Sequence, residues 1–228
     1  MIGIIGAMEE EIVSLLPVIE ITKRTVVAHI EFIEGKLLGK EVVVAYSGIG
    51  KVQSTICATL MIERFKAEQI IFSGVAGGLN ADIPVGGVVV GEKLLHHDFD
   101  CTGFGYALGV IPRAKASTFY SSKKLIDLAT RYLNTTEAKH MVGTIVSGDQ
   151  FICEKEKAMS LIKNFGADAA EMEGASVAHV ATLYDVPFVV IRLISDNANE
   201  EAKVDYSTFI KGAIILANNI VKSIVENI

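Results

Sequence analysis

Three carboxylates in this sequence occupy positions where an α/β fold would bring them together. Glu11 closes an acidic run after an apolar segment, Glu173 lies two residues after Glu171, and Asp196 follows the apolar stretch 188–195. Glu11 and Asp196 come just beyond predicted strands, and open α/β sheets bind ligands at that edge. Two or three acids around one pocket suit general acid/base cleavage of a glycosidic bond.

Each of these acids also has a structural explanation. The acidic run 9–11 would favour the positive end of a helix dipole, and Asp196 could cap a helix. Glu171 and Glu173 lie among small residues, where charged side chains are rare unless they are paired or functional. Asp168 weakens that contrast, because it is a further acid in the same stretch. The pattern alone leaves both interpretations open.

Length and composition fit a soluble enzyme. The chain has 228 residues, of which 50% are hydrophobic, and residues 1–228 are predicted to form a single domain with a sizeable core. The formal net charge of −6 argues against a nucleic-acid partner, because phosphate backbones need a basic surface.

Other features of the sequence predict a cytoplasmic location. Cys57, Cys101 and Cys153 are widely spaced, as is typical of reduced thiols rather than a disulfide framework. No apolar run has the length of a transmembrane helix, so we expect no membrane association. The apolar start of the chain has no basic region ahead of it, and we expect no signal peptide.

Strand and helix patterns alternate along the chain, which favours an α/β fold. Strands are predicted at 2–6, 30–38, 41–47, 69–73, 86–95, 141–147 and 188–194. Helices are predicted at 9–16, 51–65, 123–133, 154–165, 173–184 and 207–228. The stretches 30–38 and 41–47 form a hairpin, and 188–194 is apolar enough for a strand covered on both faces.

Two glycine-rich segments are predicted to be turns after strands. The segment 47–51 is not a P-loop, because Ala45 stands where a glycine is needed and Val52 where a serine or threonine is needed. The segment 74–78 lacks the spacing of a dinucleotide site. Both could let backbone approach a ligand closely, or they could be plain tight turns.

The adjacent histidines His96 and His97 do not predict a metal site. Neighbouring side chains on a strand point to opposite faces, so the two rings cannot easily share one ion. We therefore expect no metal.

A series of motifs, in order, covers almost the whole chain. They are Gly6-Ala7-Met8-Glu9-Glu10-Glu11, Ser47-Gly48-Ile49-Gly50-Lys51-Val52, Gly74-Val75-Ala76-Gly77-Gly78, His97-Asp98-Phe99-Asp100, Phe104-Gly105-Tyr106, Ser147-Gly148-Asp149-Gln150-Phe151-Ile152, Glu171-Met172-Glu173, 186–192 and Ser195-Asp196. Each motif alone is weak, but together they resemble the 5′-methylthioadenosine/S-adenosylhomocysteine nucleosidases of the purine nucleoside phosphorylase-like superfamily.

The resemblance implies a fold and a reaction. The implied fold is α/β and nucleoside phosphorylase-like, with a central mixed sheet that forms a distorted barrel flanked by helices. The implied reaction is hydrolysis of the N-glycosidic bond of 5′-methylthioadenosine, S-adenosylhomocysteine and 5′-deoxyadenosine to adenine and a 5-substituted ribose. The resemblance also implies a homodimer with a small-molecule nucleoside substrate and no cofactor.

The same resemblance implies a role for each site residue. Glu11 would activate water, Asp196 would protonate purine N7, and Glu173 would accept hydrogen bonds from the ribose hydroxyls. The residues implied to bind the substrate elsewhere are Phe151 and Met172 around adenine, the Ile152 backbone at its edge, Val75 beside the catalytic Asp, and Met8, Ile49, Tyr206 and Phe209 near the 5′-substituent. The residues implied to come from the partner subunit are Cys101, Phe104, Tyr106 and Pro112.

Two departures from the family pattern affect these expectations. Val75 stands where the family usually has a serine whose hydroxyl helps to hold the catalytic Asp. The segment 107–112 is less polar and less aromatic than usual, so the preferred 5′-substituent stays open.

Three other functions are compatible with parts of the pattern. They are an aminofutalosine-preferring nucleosidase, a phosphate-dependent nucleoside phosphorylase, and a non-catalytic nucleoside sensor. The acidic turn at 6–11 argues against the phosphorylase, because Glu11 would repel phosphate. Binding alone would not require Glu11, which argues against the sensor.

Overall fold

A computed structural model describes the backbone of residues 1–198 and 202–228 and the side chains of residues 1–198 and 214–228. The strands are β1 Ile2–Gly6, β2 Ile19–Val27, β3 Ile30–Leu37, β4 Lys40–Tyr46, β5 Gln69–Gly78, β6 Val88–His96, β7 Thr118–Tyr120, β8 His140–Ser147, β9 Ala169–Glu171 and β10 Phe188–Asp196. The helices are α1 Glu9–Ile12, α2 Lys51–Glu63, α3 Lys123–Leu133, α4 Lys155–Phe165, α5 Gly174–Leu183 and α6 Ala202–Asn227. Two 3-10 helices span Val13–Val18 and Thr102–Phe104.

The strands form one mixed sheet that partly closes on itself. Its order is β10-β6-β8-β9-β5-β1-β4-β3-β2, and β7 pairs with β6. A further pairing of β10 with β5 joins the two ends of the segment from β10 to β5, which makes a closed ring of strands. The predicted α/β fold with a distorted barrel is therefore confirmed.

Helices cover both faces of this sheet, which explains its apolar strands. Neighbouring residues of β1 point to opposite faces, so Ile5 belongs to the core cluster that includes side chains of α2 and α5, and Ile4 to the cluster that includes side chains of α3 and α6. Every residue of β10 is buried, as predicted for a strand covered on both sides. The site-bearing strands therefore lie at the centre of the core.

Most predicted helices and strands are confirmed, with boundary shifts of a few residues. The predicted helix 9–16 is wrong in its second half, where a 3-10 helix, Val13–Val18, replaces it. Pro17 has no N–H to donate to the carbonyl of Val13, so a regular α-helix cannot continue there. Strands β2, β7 and β9 were missed, because β2 is mostly exposed without alternation and the other two have three residues each.

The glycine-rich segment 74–78 is strand rather than the predicted turn. Strand β5 runs on through Gly78, because β10 pairs with it as far as Gly77 and β9 pairs with both Gly77 and Gly78. Partners on both sides supply the backbone hydrogen bonds that stabilise a strand of small residues. Asp196, predicted to follow its strand, is instead the last residue of β10.

Two features bear on the sequence predictions about environment. Cys57, Cys101 and Cys153 form no disulfide with one another. Among the described residues, no helix is both long enough and apolar enough to cross a membrane.

We expect Phe32→Ala to destabilise the protein strongly. The Phe32 side chain is fully buried and stacks on Phe65 with ring centroids 4.4 Å apart. Truncating a buried phenylalanine typically costs about 3–5 kcal/mol in the free energy of unfolding. Urea denaturation would measure this loss, and the control Val18→Ala, at a half-exposed position, should change it by less than about 0.5 kcal/mol. Equal midpoints for the two variants would contradict this view of the core.

Candidate active site

Three elements deliver the predicted acids to one cavity. Glu11 comes from α1, Glu173 immediately precedes α5, and Asp196 ends β10. The cavity has a volume of about 430 Å³. Its lining residues are Ala7, Met8, Glu11, Ile49, Val75, Ala76, Gly77, Phe151, Ala170, Glu171, Met172, Glu173, Ser195 and Asp196. A cavity of this size, mainly apolar with a few polar groups, is typical of a small-molecule site.

The Glu11 carboxylate is held by backbone N–H groups. Its Oε2 accepts from Ala7 N at 2.6 Å and Met8 N at 3.1 Å, and its Oε1 accepts from Val75 N at 3.1 Å. Gly74 leaves the room for this carboxylate, since a Cβ at residue 74 would lie 2.6 Å from Glu11 Oε1. Burial raises the pKa of Glu11, while Arg192 and these hydrogen bonds oppose that rise. Such a group is suited to take a proton.

The Asp196 carboxylate is oriented by its own strand end and the following turn. Ser195 Oγ donates to Asp196 Oδ2 at 2.8 Å, and Ala198 N donates to Asp196 Oδ1 at 2.8 Å. Val75 has no hydroxyl to contribute, but Ser195, the residue before Asp196, supplies one. The substitution at residue 75 therefore leaves this carboxylate with a hydroxyl donor.

Glu173 is buried beside the N-terminus of α2. Gly50 N donates to Glu173 Oε1 at 2.7 Å. Burial, together with the negative charge of Glu171, raises the pKa of Glu173 to about 8, and Arg192 acts in the opposite direction. A further positive charge in the cavity would therefore strongly favour the ionised form of Glu173.

Glu171 forms a buried ion pair with Arg192. The Arg192 guanidinium is 1% exposed, and its Nη2 and Nε donate to Glu171 Oε2 at 2.6 and 3.1 Å. Glu171 also accepts from Ser147 Oγ and from the backbone N–H groups of Glu173 and Gly174. Its carboxylate is thus committed to holding the start of α5, where Glu173 is presented.

Most of the other predicted binding residues outside α6 and the segment 101–112 line the cavity. Met8, Ile49, Val75, Phe151 and Met172 line the cavity with the three acids. Ile152 is buried next to Phe151 but does not line the cavity.

The remaining predicted residues lie away from the cavity lining or outside the described side chains. The side chains of Tyr206 and Phe209, on α6, lie outside the described residues. Cys101, Phe104, Tyr106 and Pro112 do not line this cavity. Phe104 is instead 86% exposed to solvent.

No described group of residues near the site has the composition of a metal centre. Among side chains 1–198 and 214–228, no cluster of three His, Cys, Asp or Glu residues is close enough to hold an ion. His96 ends β6, and its ring lies 5.8 Å from that of His179 between centroids.

Comparisons with known proteins agree with this geometry. The family described as the phosphorylase superfamily matches residues 1–227. A 5′-methylthioadenosine/S-adenosylhomocysteine nucleosidase from Shewanella pealeana is 44% identical over 92% of this chain and 91% of its own. The chain belongs to this nucleosidase family of the phosphorylase superfamily.

Two solved structures are similar to this chain over its whole length. The Neisseria meningitidis nucleosidase, in complex with methylthio-immucillin-A, is 38% identical with a TM-score of 0.95, covering 100% of this chain and 99% of that one. Futalosine hydrolase of Helicobacter pylori strain 26695 is 39% identical with a TM-score of 0.95, covering 100% of this chain and 97% of that one.

Sequence reasoning missed the groups that hold the predicted acids in place. Arg192 and Ser195 were noted only as parts of motifs, although a lone arginine in the apolar stretch 188–195 indicates a buried and therefore paired charge. No comparable signal identified Ser147, whose hydroxyl bonds Glu171. Its partner lies 24 residues away in the chain, and only the pairing of β8 with β9 brings the two together.

The raised pKa of Glu173 predicts how stability depends on pH. Between pH 4.5 and about 8 the folded protein keeps a proton on Glu173 that the unfolded chain loses. The free energy of unfolding should therefore fall as pH rises through this window. Glu11, whose pKa is also raised, acts in the same direction.

Glu173→Gln should make that decline smaller, because the amide does not titrate. Urea denaturation at pH 5, 6, 7 and 8 measures the effect. Glu20→Gln, on the exposed side of β2, removes the same charge at a surface position and should keep the wild-type pH dependence. A Glu173→Gln variant with the wild-type pH dependence would contradict the assignment of a buried, protonated Glu173.

Proposed function

We propose that this protein hydrolyses the N-glycosidic bond of 5′-methylthioadenosine and S-adenosylhomocysteine, and of 5′-deoxyadenosine, to adenine and a 5-substituted ribose. The observation that carries the proposal is the convergence of Glu11, Glu173 and Asp196 on one cavity in a chain that belongs to the nucleosidase family. Residues 1–228 would act as a single nucleosidase domain, consistent with the family match to residues 1–227.

Asp196 would act on the leaving base. Adenine leaves poorly as an anion, so N7 must gain a proton while the bond to C1′ breaks. A carboxyl group at the cavity wall can supply or share that proton when it is within hydrogen-bond reach. The bonds from Ser195 Oγ and Ala198 N hold this carboxyl in one orientation.

Glu173 would act on the sugar. As the bond breaks, the ribose ring gains positive oxocarbenium character, which a nearby carboxylate stabilises. A Glu173 that accepts hydrogen bonds from the 2′ and 3′ hydroxyls would transmit this stabilisation. The developing cation would also favour ionisation of Glu173, whose pKa is raised in the free protein.

Glu11 would orient and deprotonate the attacking water. Its three backbone N–H partners fix the carboxylate without occupying all of its lone pairs. Water attacking C1′ from the face opposite adenine would invert the configuration there. No covalent intermediate is required, so Glu11 acts as a general base rather than a nucleophile.

The remaining lining residues would bind the two ends of the substrate. Phe151 and Met172 offer an aromatic ring and a thioether for contact with the adenine faces. The Ile152 backbone would read the edge of the base. Met8 and Ile49 give the 5′ side an apolar lining that suits a thioether substituent. Tyr206 and Phe209 are proposed to complete that side.

A phosphate-dependent phosphorylase fits the cavity poorly. Among the described residues that line it, four are Glu or Asp and none is Lys or Arg. Arg192 is nearby but is bonded to Glu171. A phosphate dianion beside Glu11 would meet repulsion without a compensating cation.

Hydrolysis of aminofutalosine is a second candidate function. The observation in its favour is the likeness to the Helicobacter pylori futalosine hydrolase, at 39% identity and a TM-score of 0.95. Aminofutalosine carries adenine, so the same three acids could cleave it. Its larger 5′-substituent is the part of the substrate that would differ in its contacts.

We also propose a homodimer in which each subunit completes its partner's site. The segment 101–112 presents Phe104 and Tyr106 to solvent. Next to it, exposed side chains of α2 and α5, among them Val52 and Leu183, line a hollow of about 470 Å³ together with Ile111. A second copy related by two-fold symmetry would bury this apolar surface and bring Cys101, Phe104, Tyr106 and Pro112 to the 5′ side of the cavity.

We expect the protein to be located in the cytoplasm. We expect neither nucleic acids nor membranes as partners. Support comes from the three cysteines that form no disulfide with one another. The net charge of −6 also disfavours binding to anionic polymers. The proposed partners are therefore a nucleoside and a second copy of the chain.

Adenine release in phosphate-free buffer tests the proposed reaction. The wild-type protein should release adenine from 5′-methylthioadenosine at a rate that added phosphate does not change. Asp196→Asn and Glu11→Gln should each lower kcat by about 100- to 10,000-fold, because each removes a proton-transfer group. Parallel reactions with aminofutalosine compare the two candidate substrates by kcat/KM.

Asp185→Asn is the matched control for charge removal. Asp185 is exposed and has φ 52°, a conformation that asparagine also adopts readily, so this variant should keep wild-type activity. Ribose 1-phosphate as the main sugar product, or near-normal turnover by a folded Asp196→Asn variant, would overturn the proposal.

Phe104→Ala tests the shared site. Loss of this exposed ring should weaken dimerisation by at least about 2 kcal/mol, as is typical of an aromatic interface anchor. The same change should raise KM for 5′-methylthioadenosine. Sedimentation and steady-state kinetics measure the two effects, with Val26→Ala, also exposed but on β2, as the control. A wild-type protein that is a fully active monomer would refute the shared site.

A further inference from the structure

The start of α2 and two loops next to the cavity are joined by a set of polar contacts that the proposed chemistry does not use. The Lys51 ammonium lies 2.7 Å from Asp98 Oδ1, and Asp149 N donates to Asp98 Oδ2 at 3.1 Å. Lys51 N in turn donates to Asp149 Oδ1 at 2.8 Å. Lys51 begins α2, Asp98 follows β6 and Asp149 follows β8, so the contacts join the start of a helix to two loops.

Both ends of this set of contacts lead to groups that would bind the substrate. Gly50, the residue before Lys51, donates its N–H to Glu173. At the other end, Asp149 precedes Phe151 by two residues and Ile152 by three. The contacts therefore connect the loop that bonds to Glu173 with the loop that would hold the base.

The loop 147–152 has close packing as well as these hydrogen bonds. His97 N donates to Ser147 O at 2.9 Å, and Gly148 N donates to Glu171 O at 3.1 Å. Gly148 lies so close to His97 that an added Cβ would overlap the imidazole ring. The turn after Gly148 therefore packs against His97 and is hydrogen-bonded to Asp98.

Both carboxylate oxygens of Asp98 are used in this set of contacts. The pair with Lys51 is partly buried, with 24% of the lysine and 16% of the aspartate side chain exposed. Burial alone would raise the pKa of Asp98, but the hydrogen bonds from Lys51 and Asp149, together with the charges of Lys51 and His97, outweigh it and leave the pKa below its ordinary value. The anion is thus the form that the surroundings stabilise.

We infer that Asp98 is a positioning residue, which fixes the loop carrying Phe151 and Ile152 relative to Glu173 and so sets the geometry of base binding. The inference rests on the proposed function, since it takes the base bound there to be adenine. Asp98 touches neither the cavity nor the reacting atoms, and it acts through Asp149 and Lys51.

Asp98→Asn is the decisive variant. An amide has one acceptor oxygen where the carboxylate has two, so it cannot serve both Lys51 and Asp149 N. The dissociation constant for free adenine, measured by calorimetry, should increase about tenfold, which is 1.4 kcal/mol. KM for 5′-methylthioadenosine should rise similarly, and kcat should fall less.

A second measurement follows the loop itself. Hydrogen exchange of the backbone amides in 148–152, without any ligand, should be faster in Asp98→Asn than in the wild type. Lys51→Met keeps the backbone N–H of residue 51 and an unbranched apolar side chain, and it removes the ammonium. Combined with Asp98→Asn, it should give less than the sum of the two single effects, because both act on one set of contacts.

Asp100→Asn is the matched control. Asp100 lies two residues further along the same loop and is exposed, and among the described residues its hydrogen-bond donor is Thr102, in its own segment. This variant should leave adenine affinity and the exchange of 148–152 unchanged.

The possible outcomes separate this inference from the proposed function. Unchanged exchange of 148–152 in Asp98→Asn would overturn the inference, as would faster exchange with wild-type adenine affinity. A wild-type protein that releases no adenine from 5′-methylthioadenosine would overturn the proposed function and this inference with it. If the wild type is active and Asp98→Asn matches it in every measurement, the proposed function stands and only this inference fails.

Discussion

The buried pair between Arg192 and Glu171 is the interaction on which the rest of the site depends. A buried guanidinium would be very costly without a partner. Here it has Glu171, with Nη2–Oε2 at 2.6 Å, and the face of the Phe72 ring, 4.1 Å from Cζ to the ring centroid. Its positive charge lowers the cost of burying Glu11 and Glu173 close by, because it opposes the effect of burial on both carboxyl groups.

The same pair connects the charge of the site to its geometry. Glu171 uses its remaining hydrogen-bonding capacity on the backbone at the start of α5, which is where Glu173 stands. Loss of either charged partner would leave the other buried alone, with a loss of stability of about 3–5 kcal/mol. An active site with several buried acids therefore needs a central cation that is itself fixed by the strands.

Closure of the sheet explains why the acids meet. Strand β10 pairs with β5 on one side and β6 on the other, and this brings Asp196 to the strands that flank Glu11 and Glu171. The extension of β5 through its glycines allows this, because a Cβ at residue 74 would collide with Glu11 and one at residue 77 would lie tightly against Asp196. Small residues in this strand are thus required by the carboxylates beside it.

The sequence by itself determined the parts that depend on local pattern. Apolar periodicity located β1, β10 and α3 almost to the residue, and the ordered motifs identified Glu11, Glu173 and Asp196. Tertiary structure alone decided the short strands β7 and β9, the strand character of 74–78 and the partners of Arg192. Each of these depends on hydrogen bonds or charges from residues far away in the chain, which no local pattern of side chains encodes.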